Sequence, residues 1–333
     1  MAGPLRVEHD VGLARWLPDA LADDGTIAVV VPPIFEAYAR ILHPATLDMP
    51  TGETDAWGAP QYASREITWD EAASLIGDRL GERQPWTLWL SRFGEVGYDS
   101  PEHGRMVDGH VVPEDTVLPS GVRVPAGSRI QDPEGSDVPL PLLAALAELL
   151  VDEHGDAEVL TAAWEGSGLD PSGTSAFFLF DEGMSEREQR REAKRLQAEL
   201  HAARLASIDP EVTAAMRASE VLGLPREGQG RGHVLLRARL ATFRDPRWVE
   251  SAGLGWIRGG QPEHPDERGR TPNAMWPVEP AAAPAWFVAT ELDLDCTLVG
   301  GSARLIDRLL ADPALETERI RPTDTLVDSA AQR

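Results

Sequence analysis

Three acidic residues near the C-terminus have the spacing of a candidate metal site. Glu291, Asp293 and Asp295 alternate with uncharged residues in the segment ATELDLDCTLV. Because successive side chains of a β-strand point to opposite faces, a strand over residues 285–299 would project all three carboxylates from one face. Carboxylate oxygens are ligands that Mg²⁺ and Mn²⁺ prefer in proteins. The spacing therefore predicts a site for one of these two ions, and no other cofactor is indicated.

A glycine turn follows the acidic segment and supplies a candidate anion site. Gly300, Gly301 and Ser302 lead into the segment ARLIDRLLAD, which has the apolar spacing of a helix. The first N–H groups of a helix lack intrahelical acceptors and attract anions. Together with the carboxylates, this turn could hold a metal-bound phosphoester.

Both features also have an ordinary structural interpretation, which the sequence favours. Alternating carboxylates are typical of the solvated face of an edge strand, and a serine after a glycine turn is typical of a helix N-cap. Neither a general base nor a lysine lies near the carboxylates in the sequence. The metal and anion sites are therefore the less favoured alternative.

The rest of the sequence lacks the motifs of common enzyme sites. The eight histidines are scattered, and no G-x-S-x-G nucleophile motif is present. A phosphate-binding P-loop needs a lysine in its motif, and the single lysine, Lys194, is not in one. The single cysteine, Cys296, has Asp295 beside it and no neighbouring cation to lower its pKa, so we interpret it as a packed thiol.

The elements that would position these residues indicate an α+β fold, with a mixed or antiparallel sheet flanked by helices, in two packed halves. Apolar periodicity, caps and turn residues are the basis of this interpretation. The predicted helices cover residues 32–43, 69–80, 140–151, 185–206 and 302–312, and Ser185 with Glu188 predicts a capping box at the start of the fourth. The predicted strands cover residues 26–31, 85–94, 158–164, 175–180, 233–243, where apolar residues alternate with arginines, and 285–299.

Composition along the chain suggests where the two halves meet. Residues 1–119 form an acidic α+β half, and residues 138–320 form a second α+β half. Residues 120–137 are rich in proline and glycine, which is typical of a linker. Residues 321–333 are polar and are predicted to be a flexible tail.

Three segments carry a resemblance to a known family. They are YARILHP at residues 38–44, WEGSG at residues 164–168 and MWPVEPAAAPAWFVATELDLDCTLVGGS at residues 275–302. With them the chain resembles a family of uncharacterised actinobacterial proteins. The resemblance implies no activity, ligand or catalytic residue, and residues 184–258 look like an insertion relative to the family pattern.

The negative charge is concentrated in the first half of the chain. The formal net charge is −24, of which −22 belongs to residues 1–183. Such a field repels nucleic-acid phosphates and anionic membrane surfaces and attracts cationic partners. We therefore expect a cationic protein partner and neither nucleic acid nor membrane. Arg237 and Arg239 are expected to pair with the acidic first half of the same molecule.

The sequence favours a cytoplasmic location. A single cysteine cannot form an intramolecular disulfide, which is typical of proteins in a reducing compartment. The N-terminal residues lack the basic and apolar stretches of a secretory signal, and no apolar run reaches the roughly 18 residues of a membrane span.

The charge and the missing motifs lead to one expected function and one alternative. The expected function is that of a non-catalytic acidic protein that acts through a protein partner, in a regulatory or immunity-like role. The alternative is a divalent-metal-assisted phosphoryl-transfer or hydrolytic enzyme centred on Asp293 and Asp295. The sequence leaves open whether the protein is an enzyme.

Overall fold

A computed structural model describes the following parts of the chain: residues 3–22, 24–54, 60–76, 104–107, 110–113, 129–131, 133, 137–166, 169, 184–224, 231–255, 270–279, 284–291 and 294–326. The strands in these parts are β1 (Arg6–Val7), β2 (Ala37–Leu42), β3 (Ala45–Thr54), β4 (Pro60–Ile67), β5 (Gly104–Val107), β6 (His110–Pro113), β7 (Arg129–Gln131), β8 (Glu158–Trp164), β9 (Leu222–Leu224), β10 (Arg231–Arg239), β11 (Ala274–Pro277), β12 (Phe287–Ala289), β13 (Cys296–Gly301) and β14 (Thr317–Ile320).

The α-helices lie between runs of antiparallel strands, which is typical of α+β proteins. They are α1 (Trp16–Ala20), α2 (Trp69–Ile76), α3 (Leu140–His154), α4 (Glu186–Ser207), α5 (Pro210–Arg217) and α6 (Ala303–Ala311). Short 3₁₀ helices lie at Val11–Ala14, Ile27–Val29, Leu240–Arg244 and Pro246–Ser251.

Two sheets organise these elements. The large sheet is antiparallel and has the order β1-β10-β8-β11-β12-β13-β2-β14, with β9 also pairing with β10. The small sheet has the order β4-β3-β7-β5-β6, and only its β5–β7 pair is parallel. The predicted α+β class with antiparallel or mixed sheets is confirmed.

Apolar side chains cover both faces of the large sheet. On one face, α3, α5 and α6 contribute Leu146, Val212 and Ile306 to a buried cluster. On the other face, α1 and α2 contribute Leu17 and Trp69 to a second buried cluster. Cover on both faces explains why central strands such as β8 and β13 are buried at nearly every position.

The predicted strand over 26–31 and the predicted helix over 32–43 are wrong. The structure has a 3₁₀ helix at Ile27–Val29 and the strand β2 in place of the helix. In β2, Ala39 and Ile41 pack in one buried cluster and Tyr38 in the other. A run that is apolar on both faces fits a buried strand as well as a helix, so periodicity alone could not separate them.

The single long strand predicted over 285–299 is also wrong. The segment folds as a hairpin in which β12 and β13 pair antiparallel. A turn joins them, closed by a hydrogen bond from the N–H of Leu294 to the carbonyl of Glu291 at 3.0 Å. Glu291 and Asp295 lie after the end of β12 and before the start of β13, so these two carboxylates do not project from one face of a single strand. Asp293 lies outside the described residues.

Several other predicted elements are confirmed. The helix over 140–151 appears as α3 and the strand over 158–164 as β8. The strand over 233–243 appears as β10 up to Arg239, after which a 3₁₀ helix follows. The strands predicted over 85–94 and 175–180 lie outside the described residues. The charged helix α4 begins with the predicted capping box of Ser185 and Glu188. These elements are specified by local signals.

The large sheet contains strands from both predicted halves. β2, from residues 1–119, lies between β13 and β14, from residues 138–320. The predicted linker contributes β7 to the small sheet. Residues 321–326, which the sequence places in a flexible tail, hydrogen bond to the N-terminal region, for example from Ile27 N–H to the carbonyl of Asp324 at 2.9 Å. The division into domains stays a prediction.

In the described parts of the chain, no helix combines the length and the apolar character that crossing a membrane requires.

Candidate functional site

A groove with a volume of about 630 Å³ lies where α2, α3 and the segment between α6 and β14 meet the end of β2. The volume falls in the range of sites that bind ligands or peptide side chains. Its described lining comes from distant parts of the chain, which the large sheet brings together.

The groove has an apolar floor. Leu42, Ile67, Leu142 and Leu315 line it and are buried. Prolines complete the apolar lining, namely Pro44, Pro139, Pro141 and Pro313. Because proline has no backbone N–H, these positions offer hydrocarbon surface without a donor.

Carboxylates supply the charge of the groove. Glu66, Asp70, Glu71 and Glu316 are among its lining residues, and its described lining contains no Lys, Arg or His. Hydrogen bonds from the Arg65 guanidinium lower the pKa of the Glu71 carboxyl below its ordinary value. The groove therefore combines apolar surface with negative charge.

Trp69 and Glu316 fix the wall that α2 forms. The buried Trp69 donates from Nε1 to the carbonyl of His43 at 2.8 Å. The Glu316 carboxylate accepts the backbone N–H groups of Trp69 at 2.8 Å and Asp70 at 3.3 Å. A carboxylate at the first turn of a helix is favoured both by the free N–H groups and by the helix dipole. The start of α2 is thereby attached to β2 and to the segment before β14.

A buried polar network adjoins this wall. The His43 ring nitrogen Nε2 lies 2.8 Å from Thr297 Oγ1, and the N–H of His43 donates to the carbonyl of Asp295 at 2.9 Å. His43 and Thr297 are fully buried, so a substrate cannot reach this pair. Burial, reinforced by the Asp295 charge, raises the pKa of the Cys296 thiol. The interpretation of Cys296 as a packed thiol is confirmed.

Two of the three predicted metal ligands, Glu291 and Asp295, lie among the described residues. Glu291 forms an ion pair with Arg231, whose guanidinium lies 4.5 Å from the centre of the Trp164 ring. Asp295 is buried beside the β12–β13 turn, and Asp293 lies outside the described residues. Among the residues that are described, no three His, Cys, Asp or Glu side chains form a group that could hold a metal. A Mg²⁺ or Mn²⁺ site that includes Asp293 stays a prediction.

The predicted anion-binding residues have structural contacts. A Cβ added at Gly300 would lie 2.4 Å from the Phe35 ring, and one at Gly301 would lie 2.7 Å from Leu305, so both glycines allow close packing. The Ser302 hydroxyl accepts the N–H of Leu305 at 3.1 Å, which confirms the N-cap interpretation. Anion binding at this turn stays a prediction.

Glu36 already occupies part of this helix terminus. Its carboxylate accepts the N–H of Ala303 at 3.0 Å. Arg40, on the strand β2, pairs with Glu318 of the neighbouring β14. A carboxylate of the protein thus lies where an external anion was predicted.

Sequence reasoning missed the groove. Locally, Glu71 belongs to the start of α2, where its N–H bonds to the Thr68 hydroxyl at 3.1 Å. Nothing local connects Glu66, Asp70 or Glu71 with Glu316, because the contact between α2 and Glu316 spans 247 residues. The concentration of negative charge in residues 1–183 is the one sequence feature that suggests an acidic binding surface.

Comparison of the chain with protein-family models, with curated proteins and with solved structures finds no match.

Proposed function

We propose that this protein is a non-catalytic binding protein that recognises a cationic segment of a protein partner in the acidic groove. The observation that carries the proposal is the described groove lining, which holds four carboxylates, an apolar floor and no cationic side chain. A segment that alternates arginines with apolar residues matches both parts of this lining.

Each part of the lining has its own role in the proposed binding. Burial of the partner's apolar side chains on Leu42, Ile67 and Leu142 supplies affinity, at about 25 cal/mol per Å² of apolar surface. The carboxylates select for positive charge and raise the association rate. The net charge of −24 adds attraction at longer range, which salt screens beyond about 10 Å at 0.1 M.

The composition of the groove favours binding over catalysis. Its described lining contains no His, Cys, Ser, Lys or Tyr, which are the side chains that most often act as nucleophiles or as bases poised near neutral pH. We expect the interaction to take place in the cytoplasm, where a chain with one buried cysteine needs no oxidising environment.

The test uses a fluorescent peptide of alternating arginine and leucine as the probe, with a glutamate and leucine peptide as its control. We expect the arginine peptide to bind at low ionic strength and more weakly at high ionic strength, and the glutamate peptide not to bind. The double variant Glu66→Gln/Asp70→Asn should weaken binding about tenfold, because each exposed or half-exposed charge contact contributes up to about 1 kcal/mol.

A matched control separates the groove from the overall charge. The double variant Glu186→Gln/Glu250→Gln changes the net charge equally at exposed positions that do not line the groove. It should leave the affinity nearly unchanged, and melting curves should show that all variants are folded. Equal losses of affinity in the two double variants, or no binding by the wild-type protein, would refute the groove as the binding site.

A further inference from the structure

A carboxylate of the groove already holds a guanidinium from the same chain. Arg65, on β4, donates from Nη1 to Glu71 Oε2 at 3.1 Å and from Nη2 to Glu71 Oε1. Glu71 lines the groove, whereas Arg65 does not. The contact is a bidentate pair in which each of the two terminal guanidinium nitrogens donates to one carboxylate oxygen, the geometry that arginine and a carboxylate favour.

This pair is exposed enough to open. The Arg65 side chain is 44% exposed and the Glu71 side chain 39% exposed. Ion pairs at such positions add little to stability because water and salt screen them and because both side chains lose conformational freedom. Breaking the pair therefore costs little if another guanidinium replaces the first.

We propose that Arg65 is an internal competitor, which occupies a guanidinium subsite at Glu71 until an arginine of the partner displaces it. The inference rests on the proposed function, because it identifies arginine as the cationic residue that the groove recognises. It also makes the site selective for arginine over lysine, since a lysine ammonium cannot form two parallel hydrogen bonds with one carboxylate. Arg65 thereby lowers the affinity for every partner that uses this subsite.

The decisive variant keeps the positive charge at residue 65 and removes its guanidinium group. Arg65→Lys leaves the net charge unchanged but cannot hold Glu71 through two parallel hydrogen bonds. We expect it to raise the affinity for the arginine and leucine peptide about two- to fivefold, the range that corresponds to an exposed ion pair. The affinity for a peptide of alternating lysine and leucine should rise less, because a lysine ammonium cannot form the two parallel hydrogen bonds with Glu71 that Arg65 made.

A double variant shows whether the effect passes through Glu71. In a Glu71→Gln background the subsite is lost, so Arg65→Lys should no longer raise the affinity for the arginine peptide. Melting curves check that each variant is folded. A gain that is equal for both peptides, or that persists in the Glu71→Gln background, would mean that Arg65 does not compete through this subsite.

The outcomes separate this inference from the function on which it rests. If the wild-type protein binds the arginine peptide and Arg65→Lys leaves the affinity unchanged or lowers it, the competitor role is wrong and the groove remains the binding site. If neither the wild-type protein nor Arg65→Lys binds the peptide, the proposed function and the inference both fail.

Discussion

His233 is a buried histidine that the fold keeps neutral. It lies in β10, only 5% exposed, with Nδ1 at 3.1 Å from the carbonyl of Arg231. Burial lowers its pKa from 6.5 to about 4, and the Arg231 charge acts in the same direction, against hydrogen bonds to backbone groups of Arg231 and Leu222. Between pH 6.5 and about pH 4, the His233 ring is therefore neutral in the folded protein and protonated in the unfolded chain.

This difference predicts that acid weakens the fold through His233. The contribution of the neutral ring is fully present above pH 6.5 and is lost as the pH falls from 6.5 toward 4. Between pH 7 and 5 the loss is about 2 kcal/mol of unfolding free energy, from 1.36 kcal/mol per pKa unit. Urea unfolding at both pH values should show this extra loss in the wild-type protein relative to His233→Gln, whose side chain does not titrate. Parallel pH profiles for the two proteins would contradict the prediction.

His9 behaves in the opposite way because it meets two carboxylates. Its Nδ1 lies 2.7 Å from Glu220 and its Nε2 lies 3.4 Å from Glu211. Hydrogen bonds to Glu220 and then to Glu211 raise the pKa of His9 above its ordinary value. Its stabilising contribution is fully present below pH 6.5 and is lost as the pH rises through the raised pKa.

We expect Glu220→Gln to lower the pKa of His9 toward its ordinary value, because the variant removes the stronger hydrogen-bonding carboxylate. An NMR titration of the His9 ring protons measures this directly. Glu186→Gln removes one negative charge from the exposed start of α4 and serves as the control, with no expected change. A pKa of His9 that is the same in the wild-type protein and in Glu220→Gln would show that the pair does not form in solution.

At the scale of the elements, two helices have the same kind of N-cap and different surroundings. Ser302 caps α6, whose residues Leu305, Ile306 and Leu309 are buried in the core. Ser185 caps α4, whose described side chains are mostly exposed. A local cap can therefore have different consequences for the whole fold, depending on how the helix packs.

We predict that Ser302→Ala lowers the free energy of unfolding by about 1 kcal/mol, the usual cost of losing a serine N-cap. Ser185→Ala should lower it less, because an exposed helix can open without the core. Urea unfolding compares the two variants, and hydrogen exchange should show faster opening of α4 in Ser185→Ala. Equal losses in global stability would mean that α4 unfolds together with the core.

At the scale of the whole molecule, two arginines of β10 pair with acids of residues 1–183, the part of the chain that holds most of the negative charge. Arg237 bonds to Glu8 at 2.7 and 2.9 Å and to Glu158 at 3.1 Å. Arg239 bonds to the Asp156 carboxylate at 2.9 and 3.1 Å. The expectation that these arginines are neutralised within the molecule is confirmed, and the remaining charge of the molecule is strongly negative.

We therefore expect no electrophoretic shift of single- or double-stranded DNA at moderate salt. The physical reason is that a net charge of −24 repels phosphates, while Arg237 and Arg239 already have carboxylate partners. A salt-sensitive shift that disappears in Arg237→Ala/Arg239→Ala would overturn this prediction. A shift that persists in that variant would place DNA binding elsewhere on the molecule and would also contradict it.

Some features of this protein follow from the sequence by itself. The helix α3, the capping box of α4, the N-cap Ser302 and the alternating pattern of β10 were all predicted from residues that are close in the sequence. Such signals are local, since a cap or a period of apolar residues acts within a few turns or one strand. The acidic character is likewise a property of composition alone.

Only the tertiary structure decided the rest. β2 is a strand because β13 and β14 pair with both of its edges, and its own residues do not distinguish it from a helix. The turn between β12 and β13 separates carboxylates that a single strand would have aligned. The groove exists because the sheet brings Glu316 to the start of α2, a contact between residues 247 apart, which no local pattern encodes.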